Sequence, residues 1–137
     1  MMIYMDCLFC KIIAGEIPSK ILYEDDKIFA FYDIQPQAPI HFLVIPKMHL
    51  DGADQIDETN AEIVSYIFSK IPTLAAMAGI KNGFRVVTNV LENGGQSVRH
   101  LHFHVLGGGK LSALRSDVLS AYDGGEGSII SDLTKHN

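Results

Sequence analysis

A chain of 137 residues with 47% hydrophobic content is long enough to bury one compact core and short for two, so a single domain is expected. Its formal net charge of −5, with 11 Lys and Arg scattered along the chain, excludes a nucleic-acid backbone binder, which needs clustered cations, and leaves any anionic ligand to be held by local groups. No apolar run approaches the roughly 18 residues of a membrane helix and the first ten residues carry no basic segment before a long apolar one, so neither a membrane span nor a signal peptide is expected and the cytoplasm is the default compartment.

Asp6 is placed to cap a short helix over residues 7–14, with Gly15 as a left-handed stop and Pro18 just beyond it. Cys7 and Cys10, the only two cysteines, then share one face. Two are too few for a secreted disulfide framework; they suit a redox pair or half of a metal site. Strands are expected over 21–23 and 27–34, then a turn over 35–39, then a strand over 41–45 stopped by Pro46, which together form an antiparallel meander. Thr59, Asn60, Ala61 and Glu62 have the capping-box pattern that opens one long helix running to about Ala78. Its Ile63, Ile67, Phe68, Ile71, Leu74 and Ala75 recur at helical spacing and should pack on one sheet face. Pro72 lacks the backbone donor and crowds the preceding turn, so a kink or break is expected near residues 69–71. Two further strands, over 84–91 and 101–106, are joined by Glu92-Asn93-Gly94-Gly95-Gln96-Ser97. The fold class is therefore α+β, with about five antiparallel strands, one long helix and a short N-terminal helix. The core covers about residues 7–108. The tail 109–137 is polar and dotted with glycine, is expected to hold at most one short helix around 112–122, and has no assigned chemistry.

Three of the six histidines, His100, His102 and His104, stand at i, i+2 and i+4 of a predicted strand. Their rings should project from one face while Leu101, Phe103 and Val105 enter the core. A His-rich polar sheet face and a metal site are the competing readings. Strand geometry limits the second, because neighbouring histidines are about 6.6 Å apart at Cα and the outer two about 13 Å, so one metal reaches two of them and hardly three. At least one imidazole is left for other work. Upstream, Gly94-Gly95-Gln96-Ser97 forms a flexible turn whose N–H groups could approach an anion, with the Ser97 hydroxyl as a further donor. An imidazole with one nitrogen fixed by a carbonyl can present the other as a nucleophile to phosphorus, with neighbouring rings and N–H donors stabilising the transferring group.

The run from Gly94 through His100-Leu101-His102-Phe103-His104 to Gly108 resembles the His-x-His-x-His signature of the histidine triad family, in its Hint-like branch. Further blocks resemble the same branch in the same order: Phe9-Cys10-Lys11-Ile12-Ile13, Glu16-Ile17-Pro18-Ser19-Lys20, residues 30–39 and residues 41–47. The resemblance implies a HIT-like fold and a purine nucleotide-binding hydrolase that cleaves a phosphoramidate, acyl or ester bond at an α-phosphate through a nucleotidyl-histidine. It implies His102 as nucleophile, His104 on the phosphate, His41 behind it, Asp33 on the ribose hydroxyls beside Ile34, and Phe9, Ile12 and Phe31 around the base. Asn89, Gly95, Gln96 and Ser97 would hold the phosphate and the leaving-group side. Ordinary core packing is the alternative for the apolar residues, and turn capping the alternative for Asp33.

Some relatives bind a structural zinc through a cysteine pair and two histidines, which maps onto Cys7, Cys10, His49 and His100. No organic cofactor is implied. The family also implies a homodimer with a continuous sheet of about ten strands, joined through the long helix and the strand over 84–91. The branch's usual ending, with a tryptophan and prolines, is missing, since this chain has no Trp. Two other functions are kept open: a dinucleoside polyphosphate hydrolase, typical of the Fhit-like branch, and a non-catalytic nucleotide-binding regulatory or scaffold protein.

Overall fold

The computed structural model describes residues 7–113; Asp6 and the tail beyond Ala113, with the short helix expected there, lie outside the described residues. The first helix, α1 (Leu8–Ile13), is capped by Cys7, whose Sγ accepts the Cys10 N–H at 3.2 Å. A cysteine therefore occupies the capping position, and the helix is a residue shorter at each end than expected.

Five strands follow: β1 (Ile21–Glu24), β2 (Ile28–Tyr32), β3 (Ile40–Pro46), β4 (Phe84–Val87) and β5 (Phe103–Gly107). All neighbouring pairs are antiparallel, in the order β1-β2-β3-β5-β4. The first three strands form the expected meander. The chain then crosses over through α2 (Glu62–Met77) to the far edge, and β5 returns between β4 and β3. The last two strands are shorter than predicted. Beyond Val87 the chain leaves the ladder, and Thr88 instead donates its hydroxyl to the His102 carbonyl at 2.7 Å.

The capping box expected on Thr59 and Glu62 does not form, and the helix starts at Glu62 after Ala61. Ala61 precedes the helix without a side-chain bond. Asp57 accepts the N–H and hydroxyl of Thr59 (2.8 and 2.6 Å), while its own N–H donates to Asn60 Oδ1 at 2.8 Å. Asp57, Thr59 and Asn60 thereby close the turn that leads into the helix. The expected break at Pro72 does not occur, and α2 runs through it as one helix. Ile67, Ile71, Leu74 and Ala75, on both sides of the proline, are all buried against the sheet. Packing of one unbroken stripe holds the two halves in line despite the lost bond.

β2 and β3 are covered on both faces. Ile28, Ala30, Phe42 and Val44 meet α2, joined by Leu101, Phe103 and Val105. Phe29, Phe31, Leu43 and Ile45 meet Phe9, Cys10 and Ile12 of α1 on the opposite face. This double burial explains why both strands read as near-continuous apolar runs. Among the described residues, no helix is long and apolar enough to cross a membrane.

Candidate active site and metal cluster

The three histidines enter from a segment less regular than expected, since β5 begins only at Phe103. The alternation nevertheless holds. Leu101, Phe103 and Val105 point into the α2-side core, and the three imidazoles lie on the α1 side, where the Phe9 ring stands edge-on 6.0 Å from His100 and 5.1 Å from His102. The His102 and His104 rings are 5.0 Å apart. Strand register completes the group. Pairing Leu43 with His104 and His41 with Leu106 sets His41 diagonally beside His104, with ring centroids 5.1 Å apart.

Hydrogen bonds assign a tautomer to each ring. His102 Nδ1 lies 2.7 Å from the His100 carbonyl, so Nδ1 carries the proton and Nε2 keeps its lone pair. The Gln37 N–H donates to His41 Nδ1 at 3.1 Å, which places the His41 proton on Nε2. That proton is donated to His104 Nδ1 at 2.9 Å, leaving His104 with Nε2–H as a donor. Asp33 Oδ2 is 3.5 Å from His41 Nε2. By spacing alone, Asp33, His41 and His104 could hold a metal. With its Nε2–H donated to His104, His41 forms a hydrogen-bonded pair with that ring beside the Asp33 carboxylate.

Burial pushes the His41, His102 and His104 imidazoles toward the neutral form. For His104, burial together with the neighbouring His102 and His41 rings lowers the value to about 4, against the opposing pull of Asp33. Unfolded, the same ring titrates near 6.5, so between pH 6.5 and 4 the unfolded chain binds more protons than the folded one. Stability carried by the neutral ring is present above 6.5 and lost as pH falls toward 4. The urea midpoint is expected to decline steadily through that window; a midpoint that stays constant across it would contradict the assignment.

A cavity of about 360 Å³ opens beside these rings, lined by Phe9, Ile12, Phe31, Asp33, Ile34, Ser97, His102 and His104. It is apolar at the α1 end, where Phe9 and Phe31 meet edge to face at 5.5 Å. Ile34 is 91% exposed and stands at its mouth. Asp33 both lines the cavity and caps the following turn through the Gln35 N–H at 2.8 Å, so the ligand and turn-capping readings coexist in one carboxylate. Asn89 lies elsewhere. It lines a second cavity of about 260 Å³ with Gln37, His41, Arg85 and His104, and the His104 ring is the wall common to both.

The glycine turn corrects one expectation. The Gly95 and Gln96 N–H groups are taken up inside the turn by the Glu92 and Leu91 carbonyls, both at 3.0 Å, and the Gln96 side chain is bonded to Leu91, Asp51, Val98 and Arg99. Neither residue lines the cavity. Ser97 does. Gly95 is required for its backbone, with φ of 78°, and a Cβ on Gly94 would collide with the Val90 carbonyl oxygen.

Cys7, Cys10, His49 and His100 converge as a second group whose ligand atoms all lie within 4.8 Å of one another. Cys7 Sγ is 3.4 Å and Cys10 Sγ 3.6 Å from His100 Nδ1, and Cys10 Sγ is 3.3 Å from His49 Nδ1. Tetrahedral zinc with Zn–S of about 2.3 Å and Zn–N of about 2.0 Å has S···N edges of about 3.5 Å. The donor set fits. The far nitrogens are tied as ligating histidines require: His100 Nε2 to the Pro46 carbonyl and His49 Nε2 to Asp51 Oδ1, both at 2.8 Å. Both Nδ1 lone pairs therefore face the thiols. Burial raises the Cys7 thiol and lowers His100 to about 4, so the ring is neutral and ready to ligate.

Sequence reasoning missed Gln37 and Arg85 at the second cavity, and Asp51 and Arg99 around the metal cluster. Only Asp51, two residues after His49, left a trace in the sequence, as a carboxylate within reach of a candidate ligand.

A family model described as HIT domain matches residues 14–111. A histidine triad protein from Clostridium difficile is 49% identical and superposes with a TM-score of 0.79, covering 82% of this chain and 98% of its own. A HIT family hydrolase from Clostridium thermocellum is 43% identical with a TM-score of 0.78, covering 80% and 96%. A 14 kDa zinc-binding protein from Zea mays is 45% identical over 107 residues, 77% of this chain and 84% of that protein.

Proposed function

This chain belongs to the HIT domain family, and from that premise we propose that it is a purine nucleotide-binding hydrolase acting at the α-phosphate of a phosphoramidate or of an acyl or ester conjugate. The observation that carries the proposal is the His102 ring: its Nδ1 is held by the His100 carbonyl at the edge of a nucleoside-sized cavity, which leaves Nε2 as a neutral nucleophile. Nε2 attacks phosphorus and the bond to the leaving nitrogen or oxygen breaks. Water then cleaves the P–Nε2 bond and releases the nucleoside monophosphate.

The remaining residues take roles suited to their chemistry. Phe9, Ile12 and Phe31 wall the base, Ile34 closes the mouth over it, and Asp33 accepts from the ribose hydroxyls. His104 Nε2–H and the Ser97 hydroxyl donate to phosphate oxygens, and His41 fixes the His104 tautomer from behind. Asn89, across the His104 ring, faces the leaving group. Gly95 and Gln96 act through the turn that presents Ser97.

We further propose that Cys7, Cys10, His49 and His100 hold a structural zinc; the named function of the maize relative and the donor geometry support it. A bound zinc would cross-link α1 to the loop after β3 and to the histidine segment, with no role in the phosphoryl steps. A homodimer is supported by β4, which stands at the open edge of the sheet, and by the exposed Phe84 and Met77 near it in sequence and on α2. Purified protein should release nucleoside monophosphate from an adenosine phosphoramidate faster than from a dinucleoside polyphosphate. The reverse order would favour the polyphosphate hydrolase, and turnover of neither, with adenosine monophosphate still bound, would favour a non-catalytic binding protein.

A further inference from the structure

Arg99 stands immediately before His100, and its guanidinium gathers three partner side chains from two segments, the loop after β3 and the glycine turn. Nη1 donates to Gln96 Oε1 at 2.8 Å and to Asp54 Oδ1 at 3.1 Å, Nη2 donates to Asp54 Oδ2 at 3.3 Å, and Nη2 pairs with Asp51 Oδ2 at 3.6 Å. Two of those partners lead elsewhere. Asp51 holds the Nε2–H of His49 through its other oxygen at 2.8 Å. Gln96 accepts the Leu91 N–H at 2.9 Å and donates to the Asp51 and Val98 carbonyls at 2.7 and 2.9 Å. The path runs unbroken from a ring of the metal cluster to both ends of the glycine turn.

The hub closes over bare backbone. A Cβ on Gly52 would lie 2.8 Å from Asp54 Oδ1, 2.9 Å from Arg99 Nη1 and 3.0 Å from Gln96 Oε1, so glycine there is what lets the three side chains meet. Isolated surface ion pairs contribute little, whereas a planar guanidinium shared by two carboxylates and an amide restrains all of them at once. His100 is fully buried, whereas His49 lies on the loop after β3, where its Nδ1 faces Cys10 Sγ at 3.3 Å and its ring stands edge-on 4.7 Å from that of His100.

We infer that Arg99 is a positioning residue that couples metal occupancy of the Cys7, Cys10, His49 and His100 cluster to the 91–97 turn, and through it to the placement of Ser97 at the cavity wall. This rests on the zinc reading of the cluster. Metal at His49 Nδ1 fixes that ring and strengthens its Nε2–H bond to Asp51. Asp51 then holds Arg99, and Arg99 holds Gln96 across the turn.

Hydrogen exchange resolved by peptide, with strands β2 and β3 as internal reference, tests the coupling without any activity assay. Metal removal from the wild-type protein should speed exchange of the 91–98 peptide at least tenfold. In Arg99→Met, saturated with zinc, that peptide should exchange measurably faster than in the wild type and toward the metal-free rate, with the direct Gln96 bond to the Asp51 carbonyl retaining part of the protection, and Gly52→Ala should do the same by a steric route. Coupling between two sites is reciprocal, so Arg99→Met should also bind zinc more weakly, by the factor with which zinc slows turn opening in the wild type. Should chelation open β2 and β3 as well, the two zinc-saturated variants decide the question alone. Wild-type protection of the turn in both variants would overturn the coupling while leaving the zinc site standing. Elemental analysis showing that the wild type takes up no zinc would remove the site and the coupling together.

Discussion

Replacing His102 by Ala is expected to lower turnover of an adenosine phosphoramidate by about four to six orders of magnitude, the range that follows loss of a covalent nucleophile, while adenosine monophosphate still binds. The two outcomes separate because they depend on different walls of the site. The base and ribose ends of the cavity are built from Phe9, Ile12, Phe31 and Asp33 on α1, β2 and the turn after it, with Phe9 also packed edge-on against the His102 ring. The lone pair proposed to attack phosphorus is that of His102 Nε2, because His104 Nδ1 is occupied by His41 and His100 Nδ1 faces the thiols. Removing a buried imidazole also leaves a void against Phe9, so a modest loss of stability accompanies the change. Binding and turnover measured on the same sample decide the matter: a variant that keeps more than a few per cent of the wild-type rate has a different nucleophile.

The second large effect is on stability. Stripping zinc from the protein with a chelator is expected to lower the unfolding free energy by about 4 kcal/mol relative to protein in thousandfold excess of metal over its dissociation constant, a fall of roughly 10 °C or more in the thermal midpoint. The figure is set by that excess of metal, and what the cluster joins favours tight binding. Its contacts link residues 93, 90 and 39 positions apart in the chain, and a cross-link that closes long loops removes much freedom from the unfolded state. Cys10→Ser should reproduce most of the loss, since Cys10 Sγ faces both His49 and His100. Equal thermal midpoints with and without zinc, in protein shown to bind it, would contradict a structural role.

The parts of the site legible in the sequence are those written as short-range pattern. His100, His102 and His104 alternate with Leu101, Phe103 and Val105, and a period of two assigns faces even though the strand itself starts only at Phe103. The apolar stripe of α2 likewise identified its buried face. Local signals failed where long-range packing decided. Pro72 should break a helix, yet the sheet beneath Ile67 and Leu74 keeps α2 whole. The place of β5 between β3 and β4 is set by its antiparallel ladders to both neighbours, which no window of the sequence reports. The tautomers that distinguish nucleophile, donor and ligand depend on the Gln37 N–H and on the His100 and Pro46 carbonyls. Backbone groups carry no identity in the sequence, so beyond the limit that strand spacing sets on metal binding, the roles proposed for the three histidines came there from the family resemblance.

The most direct test of the central claim is mass spectrometry of protein quenched in acid-free denaturant within the first turnover of an adenosine phosphoramidate. The account predicts a chain heavier by one adenosine monophosphate less water, with the added mass localised by fragmentation to Nε2-linked His102. No adduct during demonstrable turnover, or an adduct on any other residue, would contradict it.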